Sequence, residues 1–428
     1  MRLLHRLRHC LLAPCRQRLA TNLLFHISPP APPIYIETIL IIDTGTREKY
    51  ISIGVPLYQA AIRGDWKAAE SILKRNGDLI RFAITENEET LLHVEASAES
   101  TKGVEDFVIN LVNLMEKKDL ELQNRSYNTA LNLAAMAGNE KAARIMVEKH
   151  PTLMDIPGKR GEMPLYMAAL YGKPAMVRYL YGISNKMSGD FWSHESRGWV
   201  LQRCVEAGIF DVALKIVNDR PELILKRVLL NKVLLALAET REAFDLMDGS
   251  IVSKINSIFE VLHKKVWRVE DKHYALEFLR VIWGRIARMP RSVIDEILKG
   301  PHILKEDTLI KVYPYRVLFH AAKVGNTKFI VELIRLYPDL IWKTDDKRKT
   351  IFHLAVKRRH IEIYKLLYEI GAMKDLITPI KDIKDNNMLH MVAKSCKPNR
   401  LQDVPGPALQ MQRELLWFKE IEQMIDPT

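Results

Sequence analysis

The chain has 428 residues, 48% of them hydrophobic and only 8% aromatic, with a formal net charge of +12. That balance belongs to a folded, helix-rich protein and excludes a disordered or collagen-like chain. The length is large for one compact core, but a stack of small units grows without one. Five of the twelve net charges, Arg2, Arg6, Arg8, Arg16 and Arg18, lie in a leader whose first acid is Glu37, so the remainder is too mildly basic to argue nucleic-acid binding from charge. Cys10, Cys15, Cys204 and Cys396 form no Cys-x-x-Cys pair and no Cys/His metal spacing, and read as reduced thiols of an intracellular protein. No run of about 18 apolar residues offers a membrane span.

In chain order, the first element is the leader, 1–46. It is rich in Arg and Leu and short of acids, like an organelle transit peptide, but Ser is scarce and no helical face emerges. With Pro29, Pro30, Pro32 and Pro33 it reads as a basic, Pro-rich extension, mainly disordered, with transit function the weaker alternative.

From about residue 50 a spacing recurs. Leu131, Leu201 and Leu318 each precede a Gly by 7 residues (Gly138, Gly208, Gly325) and a Pro by 20 (Pro151, Pro221, Pro338). A further copy runs Leu57, Gly64, Gly77. Fixed offsets between unlike residues mark a repeated supersecondary unit. The position after the signature Leu is occupied by Tyr58, His93, Asn132, Tyr166, Gln202, Phe319, His353 and His390, with gaps of 35, 39, 34 and 36, then 117, then 34 and 37. The long gap holds one weak unit near 232–238 and about 70 residues of other sequence. Eight units and a candidate ninth are therefore expected.

Where a unit opens with Thr or Pro, that residue can begin its first helix as a cap or first-turn residue. Small Ala pairs let the next helix approach, and a Gly stops the first helix where a left-handed backbone costs least. Gly64, Gly138, Gly172, Gly208 and Gly325 are read as that stop. A positive φ is expected at Gly138, Gly208 and Gly325, and a different backbone region, or a poorer turn, at Arg359, which replaces Gly in its unit. Thr90-Leu91-Leu92-His93, Met163-Pro164-Leu165-Tyr166, Thr350-Ile351-Phe352-His353 and Asn387-Met388-Leu389-His390 resemble the ankyrin signature Thr-Pro-Leu-His-x-Ala. The expected fold is all-α: an ankyrin-repeat α-solenoid in two blocks, 50–238 and 313–400, separated by a helical insertion at 239–312.

Within the insertion, Ile251, Ile255, Ile258, Phe259 and Leu262, and then Tyr274, Phe278, Val281 and Ile282, fall at helical spacing. The basic, partly apolar stretch from Trp283 to Arg291 reads first as packing that joins the blocks, and second as a membrane-surface or partner helix. The end, 405–428, reads as an amphipathic capping helix with Met411, Leu415, Phe418, Ile421 and Ile425 on one side.

No P-loop, Gly-x-Gly-x-x-Gly or Gly-x-Ser-x-Gly appears, so neither enzyme activity nor a cofactor or metal is expected. His93, His353 and His390 share one repeat position, where a histidine bonds neighbouring backbone; their recurrence favours that structural role over ligation. Recognition is left to the concave face and the hairpin tips. Candidate partner-binding residues are Asn124, Arg125, Lys159, Arg160, Asp345, Asp346, Lys347, Arg348, Lys384 and Asp385. The basic cluster around Lys347, Arg348, Lys349, Lys357, Arg358 and Arg359 reads as a solvated edge, or as a dock for an acidic peptide or an anionic membrane surface.

The later units are more specific. Tyr337-Pro338-Asp339-Leu340-Ile341-Trp342, Ile351-Phe352-His353-Leu354-Ala355-Val356, Gly371-Ala372-Met373, Asp385-Asn386-Asn387-Met388-Leu389-His390 and Glu414-Leu415-Leu416-Trp417-Phe418-Lys419-Glu420 resemble the plant ankyrin-repeat proteins that carry a C-terminal PGG domain of hydrophobic helices. The resemblance implies a protein-interaction adaptor in stress, hormone or defence signalling, at the cytoplasmic side of the plasma membrane. The chain stops at Thr428, where that domain would begin, so a cytoplasmic short isoform, or an incomplete reading of the gene, is expected. The alternative is the soluble part of a membrane-anchored transport- or channel-like protein.

Overall fold

A computed structural model describes residues 48–244, 269–304, 311–393 and 406–425. The leader and the helical pattern at Ile251 to Leu262 lie outside the described residues.

The described chain is built from helix pairs. The first helices are α1 (Val55–Arg63), α3 (Leu91–Ala96), α5 (Ala130–Ala137), α7 (Pro164–Leu170) and α9 (His194–Glu206). Their partners are α2 (Trp66–Leu73), α4 (Lys102–Leu114), α6 (Glu140–Lys149), α8 (Pro174–Ile183) and α10 (Phe210–Asp219). Next come α11 (Arg227–Glu239), α12 (Val269–Ile286) and the short α13 (Arg291–Lys299). The later pairs are α14 (Val317–Val324) with α15 (Thr327–Leu336), α16 (Ile351–Arg358) with α17 (Ile361–Glu369), and α18 (Met388–Val392) with α19 (Pro407–Met424). Among the described residues the one sheet is a two-stranded ladder, β1 (Ile303–Leu304) antiparallel to β2 (Lys311–Val312).

Local chemistry sets these boundaries. Asp65, Asn139 and Asn326 accept the backbone N–H of Ala68, Ala142 and Phe329 and so start α2, α6 and α15. First helices end on left-handed residues: φ is 65° at Gly64, 81° at Gly138, 62° at Gly172, 71° at Gly208 and 88° at Gly325. A Cβ on Gly325 would also stand 2.2 Å from the His360 ring. The Pro-x-Leu steps form single 3-10 turns, Pro151–Asp155, Pro221–Leu225 and Pro338–Trp342, each seating a fully buried Leu: Leu153, Leu223 and Leu340.

Arg359 departs from its expectation. It adopts the same left-handed conformation as the glycines, with φ 58° and ψ 37°. Its guanidinium repays the strain locally, donating to Val356 O at 3.2 Å, to Val392 O at 2.9 Å and to the Glu414 carboxylate.

First helices stack on first helices in one row: α1, α3, α5, α7, α9, α11, α14, α16, α18. The spacing does not show one consequence. The weak unit is a full pair, with α11 between α9 and α14, and with α12 between α10 and α15 in the second row. The two blocks therefore meet through the helical segment, making nine pairs among the described residues. Asn326 donates across this junction to Leu237 O at 3.2 Å and Ala238 O at 3.3 Å. Trp283 is buried and donates to Leu333 O at 3.0 Å, and Phe278, Ile282 and Ile286 are fully buried beside it. That packing removes the membrane-surface reading of 283–286.

α19 keeps only part of its expected face: Phe418, Ile421 and Ile425 pack on the core, and the first turns do not. Trp417, Ile421 and Met424 are buried, whereas Met411 and Leu415 are exposed. The reason is its register beside α17: Trp417 meets the Tyr364 ring edge-on at 5.3 Å and Tyr364 donates to Glu420 O, so only the later turns of α19 lie on a neighbour.

Candidate functional site

The recurring histidines are consumed by the stack. The Thr90 N–H donates to His93 Nδ1 at 3.2 Å, and His93 Nε2 donates to Asn128 O, in the next unit, at 3.0 Å. Thr350 and His353 repeat the arrangement, with Ile380 O at 2.9 Å. Each imidazole thus ties one helix start to the following hairpin. Burial pushes His93 down to about 4, and His353 is lowered by burial too. His390 differs from the expectation of a backbone bond: it is exposed, with its Nδ1 2.6 Å from Asn387 Oδ1 within its own unit. No grouping of His, Cys, Asp or Glu among the described residues could hold a metal ion.

The hairpin candidates divide into turn-formers and open side chains. Asn124 is buried; its Oδ1 accepts the N–H of Ser126 and Asn128, so it shapes the turn and cannot meet a partner. Asp345 does the same for Lys347 and Lys349. Asp346 accepts Tyr313 N–H at 3.0 Å and pairs with Arg316. Asn124 and Asp345 are corrections with one cause, since Asn and Asp in such turns close on their own backbone; Asp346 is exposed and ties its hairpin to the segment before α14. Asp382, not singled out in the sequence, plays this role in the last hairpin. Burial raises its pKa, but the N–H groups of Lys384 and Asn386 outweigh that and hold it at about 2. Arg125, Lys159, Arg160, Lys347, Arg348, Lys384 and Asp385 are exposed. The tips are linked in series by Arg125 N–H to Asn87 O and Ile383 N–H to Lys347 O.

The first-helix row leaves its other face open at mid-array. α9 buries Val200, Leu201, Cys204 and Val205, while Trp199, Gln202, Arg203 and Glu206, at helical spacing, stay partly or fully exposed. The Tyr166 and Trp199 rings lie 6.1 Å apart, and Arg203 Nε reaches Tyr166 Oη at 3.4 Å and pairs with Glu206. On these two units and the next, Leu170 is 39% exposed, Tyr171 49%, Phe191 62%, Val228 58% and Leu225 73%. Sequence reasoning missed this group. Its signal was present: Tyr166 stands where other units have His, and Trp199 where they have Thr.

With this geometry in view, comparison with known proteins is informative. An ankyrin-repeat profile matches residues 92–190 in three copies. These are ankyrin repeats. The same two-row architecture continues on both sides of the matched span, so the fold is an all-α ankyrin solenoid. The chain is also similar to AVO2, a target of rapamycin complex 2 subunit of Saccharomyces cerevisiae, with 25% identity over 166 residues. That match covers 39% of this chain and 37% of the yeast protein, so the chain spans little more than a third of that relative. Among solved structures it is similar to the ankyrin repeat domain of Bcl-3, a member of the IkappaB protein family, at 12% identity over 81% of this chain and 96% of that one, with a TM-score of 0.26. No helix among the described residues is long and apolar enough to cross a membrane.

One repeat buries a carboxyl among small and apolar neighbours. At the position filled by buried Ala60, Ala134, Ala168, Ala321 and Ala355, the second repeat has Glu95, whose carboxyl oxygens are buried with no hydrogen-bond partner. Burial alone raises its pKa to about 9.

Proposed function

We propose that the array is a non-enzymatic protein-interaction scaffold that recognises its partner on the first-helix face. One observation carries this reading: Leu170, Tyr171, Phe191 and Val228 are exposed on the units that carry the Tyr166–Trp199 pair and on the next one. Exposed aromatics clustered at the centre of a rigid surface are the residue types that dominate binding energy in interfaces. The similarity to a subunit of a multi-protein complex supports an assembly role.

The finer reading rests on the plant-type sequence of the later repeats: an adaptor in stress, hormone or defence signalling, acting in the cytoplasm. Exposed Lys347, Arg348 and Lys384 support peripheral contact with an anionic membrane surface, a contact that salt would release. Capture of cellular proteins by wild type and by a Tyr171→Asp/Phe191→Ser variant tests the scaffold reading. Both residues are exposed, so the variant keeps its fold by circular dichroism. The reading expects a set of proteins lost from the variant, and an identical set from both would contradict it.

A further inference from the structure

We propose that the middle of the first-helix face receives an acidic protein segment anchored by an aromatic or aliphatic side chain; this rests on the scaffold reading and adds the partner's chemistry. The floor is the Tyr166–Trp199 pair with exposed Leu170 and Tyr171. It is electrically balanced, because Arg203 is matched by Glu206. The rim is not balanced. The two hairpins preceding α5 and α7 present Arg125, Lys159 and Arg160, all exposed, and none pairs with a carboxylate among the described residues. Lys159 Nζ lies 5.7 Å over the Tyr127 ring, which positions the charge without neutralising it. The acid on these hairpins, Glu162, accepts the Arg160 backbone N–H, so it serves the turn.

The hairpin carrying Lys159 and Arg160 runs directly into α7, whose first turn holds Tyr166, so these rim cations and that floor ring belong to one repeat unit. An apolar floor supplies an anchor and a cationic rim selects for acids flanking it. A basic or polyproline segment would meet the same floor without that selection.

The test uses the full chain and a short fluorescein-labelled peptide of glutamates and leucines around one phenylalanine, read by anisotropy. Its counterpart has each glutamate replaced by lysine. The proposal expects binding of the acidic peptide only, weakened as ionic strength rises from about 0.05 M to about 0.5 M. Lys159→Glu/Arg160→Glu and Trp199→Ala should each weaken it about ten-fold or more, while Lys215→Glu, at an exposed position on α10 in the second row, should leave it unchanged. Tyr171→Ser, at an exposed position, guards against misfolding of Trp199→Ala and should also weaken binding. Equal binding of both peptides, absence of binding, or indifference to the Lys159/Arg160 change overturns the proposal. If the acidic peptide fails while a photo-reactive residue at Leu170 still traps protein, the partner chemistry is wrong and the scaffold stands; failure of both removes the scaffold reading too.

Discussion

At the residue scale, the array is tuned by two buried ionisable side chains of opposite sense, both on α3. Glu95 has its pKa raised from 4.5 to about 9 by burial. The folded state therefore binds a proton that the unfolded chain releases; its contribution to stability is fully present below pH 4.5 and is lost as pH rises through about 9. Glu95→Gln should flatten that alkaline decline, and thermal melts of both proteins between pH 5 and 9 check it: parallel curves would contradict the assignment. His93 is lowered to about 4, so its contribution is present above pH 6.5 and is lost as pH falls through about 4. His93→Ala should cost about 1–3 kcal/mol at neutral pH, because the Thr90 N–H and Asn128 carbonyl lose their partner; a denaturant titration reads it. The histidine's role was legible because it recurs at one repeat position. Glu95 was not, because a single carboxylate among apolar neighbours looks like any helix-surface acid until the helix is seen to be buried on every side.

At the element scale, the stop signals were the best-read feature of the chain. Gly325 combines a φ of 88° with a Cβ path blocked by His360. Gly325→Val should therefore melt well below Thr327→Val, whose helical backbone tolerates the change. Equal melting would contradict it. Arg359 shows the limit of reading by residue type: a side chain with good partners can hold the left-handed turn that Gly usually takes. Arg359→Gly should relax that turn yet loosen α19, since Glu414 and Val392 O lose their donor. Hydrogen exchange across 407–424 should rise in the variant; unchanged protection would mean that Tyr364 and Trp417 hold α19 unaided. The first turns of α19 were misjudged because amphipathic periodicity says which residues are apolar but not where a neighbour ends.

At the scale of the whole molecule, the repeat spacing located the first helices, and the stack makes them one body. The partner helix of the sixth pair went unassigned because residues 240–268 separate it from α11, well beyond the usual turn between paired helices. Since α11 joins α9 to α14, calorimetry should show one cooperative transition and not two, and Asn326→Ala should lower it as a whole. The open mid-array face lay hidden because its residues come from three units, and only the stack brings them together. The claim that this face is where the protein meets its partner is tested most directly by site-specific photo-cross-linking in cells, with the reactive residue at Leu170 on the first-helix face or at Lys215, exposed on α10 in the second row. The account predicts a discrete cross-linked protein from position 170 and none in common from position 215. The same adducts from both positions, or adducts from 215 alone, would contradict it.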